Sequence, residues 1–179
     1  LLAEALGGGQ DRCGLAEPRE WTVFIVKPAA GACGKGIYLI DSISGLEDVE
    51  EQGDLLAQRY IPNPLLINGY KFDLRLYVLV TGIDPLKVYL YPEGLARFAT
   101  QKYQLDEDSL EELTAHLTNF AVNKNEGLGE DSPGVKWLLS VLAEVLRSHR
   151  VPWDHVWAQV QDLVVKTVLA IEPIVCSKV

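Results

Sequence analysis

The chain has 179 residues, 48% of them hydrophobic, and its 16 basic and 25 acidic residues leave a formal net charge of −9. This length accommodates one domain with a substantial core, or parts of two domains. The acidic balance argues against nucleic acid and anionic membranes as partners, because both require a positively charged face, and no apolar run approaches the roughly 20 residues that span a bilayer.

The first residues and the cysteines give further expectations. Residues 1–6 lack the basic segment of a signal peptide. The three cysteines are odd in number and far apart, which fits neither a disulfide framework nor a zinc site, so we expect reduced thiols in a cytosolic protein. Because the sequence contains no methionine, we expect it to be part of a longer polypeptide.

The first quarter of the chain predicts a leader and a hairpin. Residues 1–20 are rich in glycine and alanine without periodicity, so we predict an unstructured leader, followed by one folded region over 21–179. The β-branched and aromatic run 21–26 predicts a buried strand. A small-residue loop, 31–36, leads into a second strand at 37–40. This order is typical of a hairpin with a glycine-rich tip.

The middle of the chain predicts mainly strands. A short helix is predicted over 45–52, since Ser44 and Glu47 have the spacing of a capping box. Further strands are predicted at 55–61, 72–81, 87–91 and 95–100. Hairpin-like connections between successive strands favour a largely antiparallel sheet.

The last third changes to a helical period. One amphipathic helix is predicted to begin after Pro133, and a second to begin near Pro152 and end before Pro173. Strands followed by helices indicate an α+β fold.

The strand around residue 73 carries the strongest chemical pattern. Alternation along a strand places Lys71, Asp73 and Arg75 on one face. Two cations and a carboxylate in a row suit a ligand with both anionic and amino groups. The alternative is a solvated face with a cross-strand charge ladder. The opposite face, predicted to lie in the core, carries Phe72, Leu74, Leu76, Val78 and Val80.

The glycine-rich loop is a second candidate. Its backbone N–H groups can approach phosphate oxygens, and Lys27 and Lys35 supply positive charge. The spacing is not that of a Walker A loop, and the strand after it excludes a dinucleotide-binding turn. A hairpin turn without a ligand remains the alternative.

Two further positions are weaker candidates. The segment His116-Leu117-Thr118-Asn119 is weak by itself, because a histidine beside polar residues is more often a hydrogen-bonded structural group than a catalyst. Arg97 occupies a short apolar strand, where an unpaired cation is costly, so it needs an anionic partner, either Asp73 or a ligand.

Taken together and in order, six stretches between residues 21 and 125 resemble the tubulin–tyrosine ligase-like family. The helical tail is less similar, through Lys136-Trp137 and 164–173, and the likeness is greatest to the glutamate-adding branch. The six stretches are Phe24-Ile25-Val26-Lys27-Pro28, Gly34-Lys35-Gly36-Ile37, Gln58-Arg59-Tyr60-Ile61, Gly69-Tyr70-Lys71-Phe72-Asp73-Leu74-Arg75, Gly94-Leu95-Ala96-Arg97-Phe98 and His116-Leu117-Thr118-Asn119.

The resemblance implies an incomplete ATP-grasp-like fold, with nucleotide between two antiparallel sheets, and it implies roles for particular residues. Arg75 and Arg97 are implied as catalytic residues that face the carboxylate of the incoming amino acid. Further amino-acid contacts are implied for Phe120, Ala121 and Lys136. ATP contacts are implied for Lys27, Cys33, Gly34, Gln58, Arg59, Tyr60, Ile61, Lys71, Phe72, Asp73, Thr118 and Asn119.

The resemblance also implies a reaction. Family members use Mg²⁺ and ATP to convert a carboxylate into an acyl phosphate, which the amino group of a free amino acid attacks. The implied product is a glutamate side chain of a tubulin tail extended by L-glutamate. The implied partners are tubulin and microtubules, and the implied location is the cytoplasm and cytoskeleton, including the cilium or basal body.

Departures from the family pattern keep alternatives open. Cys33 stands where Arg or Gln is common, and Phe120-Ala121 stands where the glutamate-adding members commonly have Tyr-Ser. The family's metal ligands are expected beyond Val179, so this fragment is expected to make no amide by itself. A glycine- or tyrosine-adding ligase, or a non-catalytic nucleotide- or tubulin-binding module, are the alternatives.

Overall fold

A computed structural model describes residues 13–15, 22–42, 53–123, 127, 132–134 and 136–176. Within these ranges the chain forms ten strands and four helices. The strands are β1 (Cys13–Leu15), β2 (Phe24–Pro28), β3 (Tyr38–Ile40), β4 (Leu55–Arg59), β5 (Leu65–Ile67), β6 (Tyr70–Arg75), β7 (Val78–Ile83), β8 (Leu86–Leu90), β9 (Leu95–Phe98) and β10 (Lys136–Leu138). The helices are α1 (Leu113–His116), α2 (Phe120–Asn123), α3 (Leu139–Ser148) and α4 (Trp153–Cys176).

The strands form three sheets, with the orders β1-β5-β6-β9-β10, β3-β2-β4 and β7-β8. The pairs β1–β5, β5–β6, β2–β3, β2–β4 and β7–β8 are all antiparallel. This confirms the predicted mixture of helices and antiparallel sheet. The chain divides into two compact units, unit 1 (Leu1–Asp73 and Arg97–Lys136) and unit 2 (Leu74–Ala96 and Trp137–Val179).

Unit 1 has a core built from residues of short strands and of the segments next to them. In β2, Val26 is fully buried, and Phe24 to Val26 pair with β3 in the predicted hairpin. Strand β4 covers the other edge of β2, and Tyr60 extends the pairing by donating its backbone N–H to the carbonyl oxygen of Val23 at 2.8 Å. Val23, Leu39, Tyr60, Tyr103 and Leu105 form one buried apolar cluster.

A tight turn sets the position of β6 within unit 1. Strands β5 and β6 pair with Ile67 opposite Tyr70. The two residues between them, Asn68 and Gly69, both have positive φ, 54° and 84°. Asn-Gly is the preferred pair for a two-residue hairpin whose two central residues are left-handed. The turn therefore fixes the register of β6.

Unit 2 combines the β7–β8 hairpin with α3 and α4. Leu139, Leu142 and Leu146 give α3 a buried face at helical spacing. The carboxylate of Glu93 accepts hydrogen bonds from the backbone N–H groups of Gly94 at 2.9 Å and Ser140 at 3.3 Å. An anion at a helix N-terminus is favourable, and the bond from Gly94 lowers the pKa of Glu93 below its ordinary value.

The predicted strand 72–81 is wrong in its extent. It is two strands, because β6 ends at Arg75 and β7, which begins at Val78, belongs to the separate β7–β8 sheet. Val78 and Val80, predicted for the core, are 41% and 43% exposed. A continuous β-branched run reports strand propensity but carries no information about a change of pairing partner.

The helix boundaries need correction as well. The helix predicted after Pro133 begins only at Leu139, because Lys136–Leu138 form β10. The second helix contains Pro173 and extends to Cys176 instead of ending before the proline. Proline removes one hydrogen bond of the helix, and this helix continues past it for three residues.

Two predictions fall largely on residues outside the described ranges. Part of the predicted leader is a strand, since Cys13–Leu15 pair with β5, and the remainder of 1–20 is not described. The helix predicted over 45–52 also lies outside the described residues. Within the described part of the chain, no helix is both long enough and apolar enough to cross a membrane.

Candidate functional site

The strand β6 brings a carboxylate and a cation of unit 1 into direct contact. Arg97 of β9 donates to Asp73 from Nε at 2.8 Å and from Nη2 at 2.6 Å, a bidentate pair. Thr118 donates its hydroxyl to the same carboxylate at 2.8 Å. The side chains of Arg97 and Asp73 are 27% and 37% exposed. Asp73 is therefore the anionic partner that Arg97 required, and the pair remains accessible from outside.

Lys71, two residues earlier on β6, occupies a more enclosed position. Its ammonium donates to the Tyr60 hydroxyl at 2.8 Å and to the carbonyl oxygen of His116 at 2.7 Å, and it lies 4.7 Å from the centre of the Tyr60 ring. Burial lowers the pKa of Lys71 to about 8, while the Asp73 carboxylate acts in the opposite direction. Lys71 is therefore an ammonium at neutral pH that loses its proton more readily than a surface lysine.

The alternation predicted for β6 holds over its first four residues. Phe72 lies between Lys71 and Asp73 in the sequence. Its ring packs on that of Phe98, with ring centres 5.5 Å apart. Because successive residues of a strand point to opposite faces, the ring of Phe72 lies on the apolar side of β6. The ATP contact implied for Phe72 stays a prediction, and the structure gives its ring an apolar partner.

The glycine-rich loop forms a small pocket beside α2. Cys33, Gly34 and Gly36 all have positive φ, 62°, 79° and 68°, and residues from Lys27 to Ile37 line a cavity of about 220 Å³. The pocket is close to α2, because a Cβ added at Gly34 would lie 2.9 Å from Val122 and 3.5 Å from Asn119. Three left-handed residues in one loop suit an anion-binding concavity of backbone N–H groups.

The remaining candidates for ATP contact lie on β2, at the end of β4 and just before α2. Lys27 donates its ammonium to the side-chain oxygen of Gln58 at 3.2 Å, so two candidates from neighbouring strands are in contact. Arg59 is exposed at the end of β4. Ile61, directly after the strand, is 73% exposed. Thr118 is buried, and Asn119, half-buried, follows it.

The candidates for amino-acid contact are divided between the units. Lys136 and Phe120 of unit 1 are neighbours, with the ammonium 5.9 Å from the ring centre, and Ala121 adjoins them on α2. Arg75 belongs to unit 2, where its guanidinium lies 5.8 Å from the ring centre of Tyr77.

Sequence reasoning missed Asn123, which organises the loop that presents Thr118. Its side-chain oxygen accepts from the Thr100 N–H at 3.0 Å and the Thr100 hydroxyl at 2.7 Å. Its amide nitrogen donates to the carbonyl oxygens of Leu117 at 2.7 Å and Asn119 at 3.1 Å. Asn123 is 1% exposed. A polar residue one helical turn beyond Asn119 was the available signal.

Two further observations on the described part of the chain concern metal ligands and a second cavity. This part of the chain contains no group of three or more histidine, cysteine, aspartate or glutamate side chains that could hold a metal ion. Unit 2 contains a cavity of about 840 Å³ between the β7–β8 hairpin and α4. Its lining includes Ile83, Leu86 and Val168 but none of the predicted site residues.

The model of the tubulin-tyrosine ligase family matches residues 12–179. The chain is 44% identical over 156 residues to tubulin polyglutamylase TTLL5 of Mus musculus, a match that covers 83% of this chain and 12% of that protein. It is 38% identical over 160 residues to tubulin polyglutamylase TTLL6 of the same species, covering 88% of this chain and 19% of that protein.

A third relative, from another organism, has a similar identity to this chain. The probable beta-tubulin polyglutamylase of Tetrahymena thermophila is 40% identical over 159 residues, which cover 84% of this chain and 13% of that protein. The matched segment thus spans less than a fifth of the length of these three relatives.

Proposed function

The chain belongs to the tubulin-tyrosine ligase family, and on that premise we propose that it is part of an ATP-dependent ligase that adds glutamate to glutamate side chains of tubulin tails. The names of its relatives, tubulin polyglutamylases, support glutamate as the donor and tubulin as the acceptor. The proposal includes a cytoskeletal location, with the cilium or basal body as one site.

The observation that carries the proposal is the continuity of the candidate residues within unit 1. Gly34 of the glycine-rich loop lies close to Asn119. The neighbouring Thr118 donates to Asp73, and Asp73 is paired with Arg97. Four segments that are far apart in sequence therefore meet in one continuous surface, as a site for two substrates requires.

The charges of this surface suit a nucleotide phosphate chain. Lys27, Lys71 and Arg97 contribute three cations against the single carboxylate of Asp73. Backbone N–H groups of the loop and ammonium groups stabilise phosphate oxygens, and they stabilise the charge of a phosphoryl group in transfer. This local positive balance contrasts with the net charge of −9 of the whole chain.

The proposed fold is ATP-grasp-like, with nucleotide between antiparallel sheets of unit 1. We assign the phosphates to Lys27, Lys71 and the loop around Cys33-Gly34, and the base to the strand end 58–61. We also assign three further residues to the nucleotide site, Asp73, Thr118 and Asn119. Lys27 and Lys71 are donors only, while backbone groups of 58–61 offer both donors and acceptors for a base edge.

The reaction needs an activated carboxylate, because an amine does not displace hydroxide from one. An oxygen of the acceptor carboxylate takes the γ-phosphoryl group of ATP, which gives an acyl phosphate and releases ADP. The amino group of glutamate attacks that carbonyl carbon, phosphate leaves with the electron pair of its bond and takes up the proton that the amine loses, and an amide remains. Arg97 is assigned to the glutamate carboxylate, since a guanidinium forms two parallel hydrogen bonds to a carboxylate, and Arg75 is a separate candidate for the same role.

The only support for magnesium as a cofactor is the family resemblance. A hard divalent cation takes oxygen ligands, mainly carboxylates, and the described residues contain no acidic cluster of that kind. None of the roles assigned above depends on a metal ligand within this chain.

Specific residues favour a second candidate. Phe120 and Ala121 lack the two hydroxyls that the glutamate-adding pattern places there, and Cys33 lacks the side chain that contacts phosphate. These positions favour a different donor, glycine or tyrosine, or a non-catalytic nucleotide- or tubulin-binding module.

A transfer assay distinguishes these functions. Full-length protein is incubated with microtubules, Mg²⁺, ATP and one labelled donor, either glutamate, glycine or tyrosine. The proposal predicts ATP-dependent labelling by glutamate above the other two. Preferential labelling by glycine or tyrosine would reassign the donor. The absence of labelling with all three, in a protein that binds ATP, would favour the non-catalytic module.

A further inference from the structure

A chain of hydrogen bonds runs from the protein interior to the Lys71 ammonium. His116 lies in the core of unit 1, 1% exposed, and its ring makes T-shaped contacts with the rings of Tyr60 and Tyr103. Its Nε2 is 2.9 Å from the carbonyl oxygen of Ser109, and its Nδ1 is 3.2 Å from the Tyr60 hydroxyl. The Tyr60 hydroxyl in turn is 2.8 Å from Lys71 Nζ.

The ends of this chain fix the direction of its two outer bonds, those to Ser109 and from Lys71. A carbonyl oxygen only accepts, so His116 Nε2 must carry the proton that it shares with Ser109. In a neutral imidazole the other nitrogen, Nδ1, is then an acceptor. The donor 3.2 Å away is the Tyr60 hydroxyl, which also has a side-chain hydrogen bond with Tyr103. The lone pairs of the Tyr60 oxygen are thereby left facing Lys71, which only donates.

We propose that His116 and Tyr60 are positioning residues that hold the Lys71 ammonium in place at the ligand-binding surface through this one-directional relay. The inference rests on the proposed function only in taking a nucleotide as the ligand that Lys71 meets. His116 acts twice, since its backbone carbonyl accepts from Lys71 directly at 2.7 Å while its side chain acts through Tyr60.

The surrounding charges are consistent with a neutral His116 and a charged Lys71. Burial lowers the pKa of His116, and the Lys71 ammonium acts in the same direction, while the hydrogen bond to the Ser109 carbonyl oxygen, and then Asp106 and Glu112, oppose it. The Lys71 ammonium donates to Tyr60 and to His116. The nearby Asp73 carboxylate raises the pKa of Lys71, against the effect of burial. Burial and Tyr103 raise the pKa of Tyr60, which therefore stays a hydroxyl.

The first test measures the titration midpoint of Lys71 in the absence of any ligand. NMR of lysine side chains in the full-length protein, with Lys71→Arg used for assignment, should give a midpoint near pH 8 for Lys71. Tyr60→Phe keeps the ring but removes the acceptor, so the midpoint should fall by about one pKa unit. A midpoint that is unchanged in Tyr60→Phe would overturn the proposal.

Two substitutions at His116 separate positioning from a structural role. In His116→Asn the side-chain oxygen sits where Nδ1 was and still accepts from Tyr60, whereas in His116→Gln the amide reaches Ser109 but the acceptor for Tyr60 is lost. The relay predicts the wild-type Lys71 midpoint in His116→Asn, and a midpoint lower by about half a unit in His116→Gln. A lower Lys71 midpoint in His116→Asn than in His116→Gln would show that the bond to Ser109, and not the bond to Tyr60, determines the pKa of Lys71.

The second test measures binding of a non-hydrolysable ATP analogue with Mg²⁺ by calorimetry between pH 7 and 9. If Lys71 must be charged to bind, affinity should fall about tenfold across this range in wild type, and the fall should begin about one pH unit lower in Tyr60→Phe. Binding by wild type without this pH dependence would overturn the inference. If wild type does not bind the analogue while the Lys71 midpoints shift as expected, the relay stands and the proposed function fails.

Discussion

Arg97 donates two parallel hydrogen bonds to the Asp73 carboxylate, from Nε at 2.8 Å and from Nη2 at 2.6 Å, across 24 residues of sequence. This pair explains how a cation occupies the apolar strand β9, whose neighbouring residues Ala96 and Phe98 are fully buried. The two side chains stay 27% and 37% exposed. The same pair is therefore both a structural contact and a group that a ligand can reach.

The strength of this pair is the first prediction. A double-mutant cycle with Arg97→Ala and Asp73→Ala should give a coupling energy of about 1 kcal/mol, since the geometry is bidentate but solvent screens the pair. Denaturant unfolding of the four proteins measures it. The matched control is Arg147–Asp154, at 3.7 Å and with side chains 54% and 97% exposed, where coupling should be close to zero. Equal coupling in the two cycles would contradict the structural role of the Asp73–Arg97 pair.

The second prediction concerns the glycine-rich loop. Gly34→Ala should weaken binding of an ATP analogue about tenfold or more, because φ of +79° and a contact of 2.9 Å with Val122 force the loop to move. Gly31→Ala is the matched change in the same loop, where the nearest atom would be 3.6 Å away, and its effect should be much smaller. Calorimetry measures both affinities. Similar affinities for the two variants would show that the loop conformation does not control binding.

The third prediction concerns pH and stability. The pKa of Lys71 is lowered from 10.5 to about 8, so between these values the unfolded chain binds a proton that the folded chain does not. Stability from this group therefore rises with pH from about 8 to 10.5, by at most about 1.4 kcal/mol per pH unit. The difference in unfolding free energy between wild type and Lys71→Met should change with this slope. A pH-independent difference would mean that Lys71 has an ordinary pKa.

The fourth prediction concerns Asn123. Asn123→Leu leaves the buried Thr100 N–H and two carbonyl oxygens without their partner, and it should cost about 3 kcal/mol of unfolding free energy. Thr100→Val removes only the hydroxyl donor, and about 1 kcal/mol is expected. Denaturant unfolding compares the two. A smaller loss in Asn123→Leu than in Thr100→Val would remove Asn123 as the organiser of this loop.

Local sequence signals predicted those features that depend on local chemistry. The β2–β3 hairpin follows from two β-branched runs around a glycine-rich loop, and the structure confirms it. The requirement of Arg97 for an anion follows from the cost of an unpaired cation in an apolar strand, and Asp73 supplies it. Both arguments need only the properties of the residue and its immediate neighbours.

Three other features that depend on distant partners were not predicted. The end of β6 at Arg75 reflects the pairing of Val78 with Leu90 in a different sheet, and the run itself shows no break. The pairing of β1 with β5 also escaped prediction, although Asn68-Gly69 was a recognisable turn signal for the neighbouring β5–β6 hairpin. The contacts of His116 with Tyr60 and Lys71 were not predicted either. They join positions 56 and 45 residues apart, so the residues around His116 in the sequence give no sign of them.

The central claim is that the surface joining Lys71, Asp73 and Arg97 serves an ATP-dependent glutamate ligase. The most direct measurement is mass spectrometry of tubulin tail peptides after incubation of full-length protein with microtubules, Mg²⁺, ATP and glutamate, in wild type and in Arg97→Ala. Tail peptides should become heavier by whole glutamyl residues with wild type and ATP, and they should stay unmodified with folded Arg97→Ala or without ATP. Unmodified tails with wild type, or equal modification by Arg97→Ala, would contradict this claim.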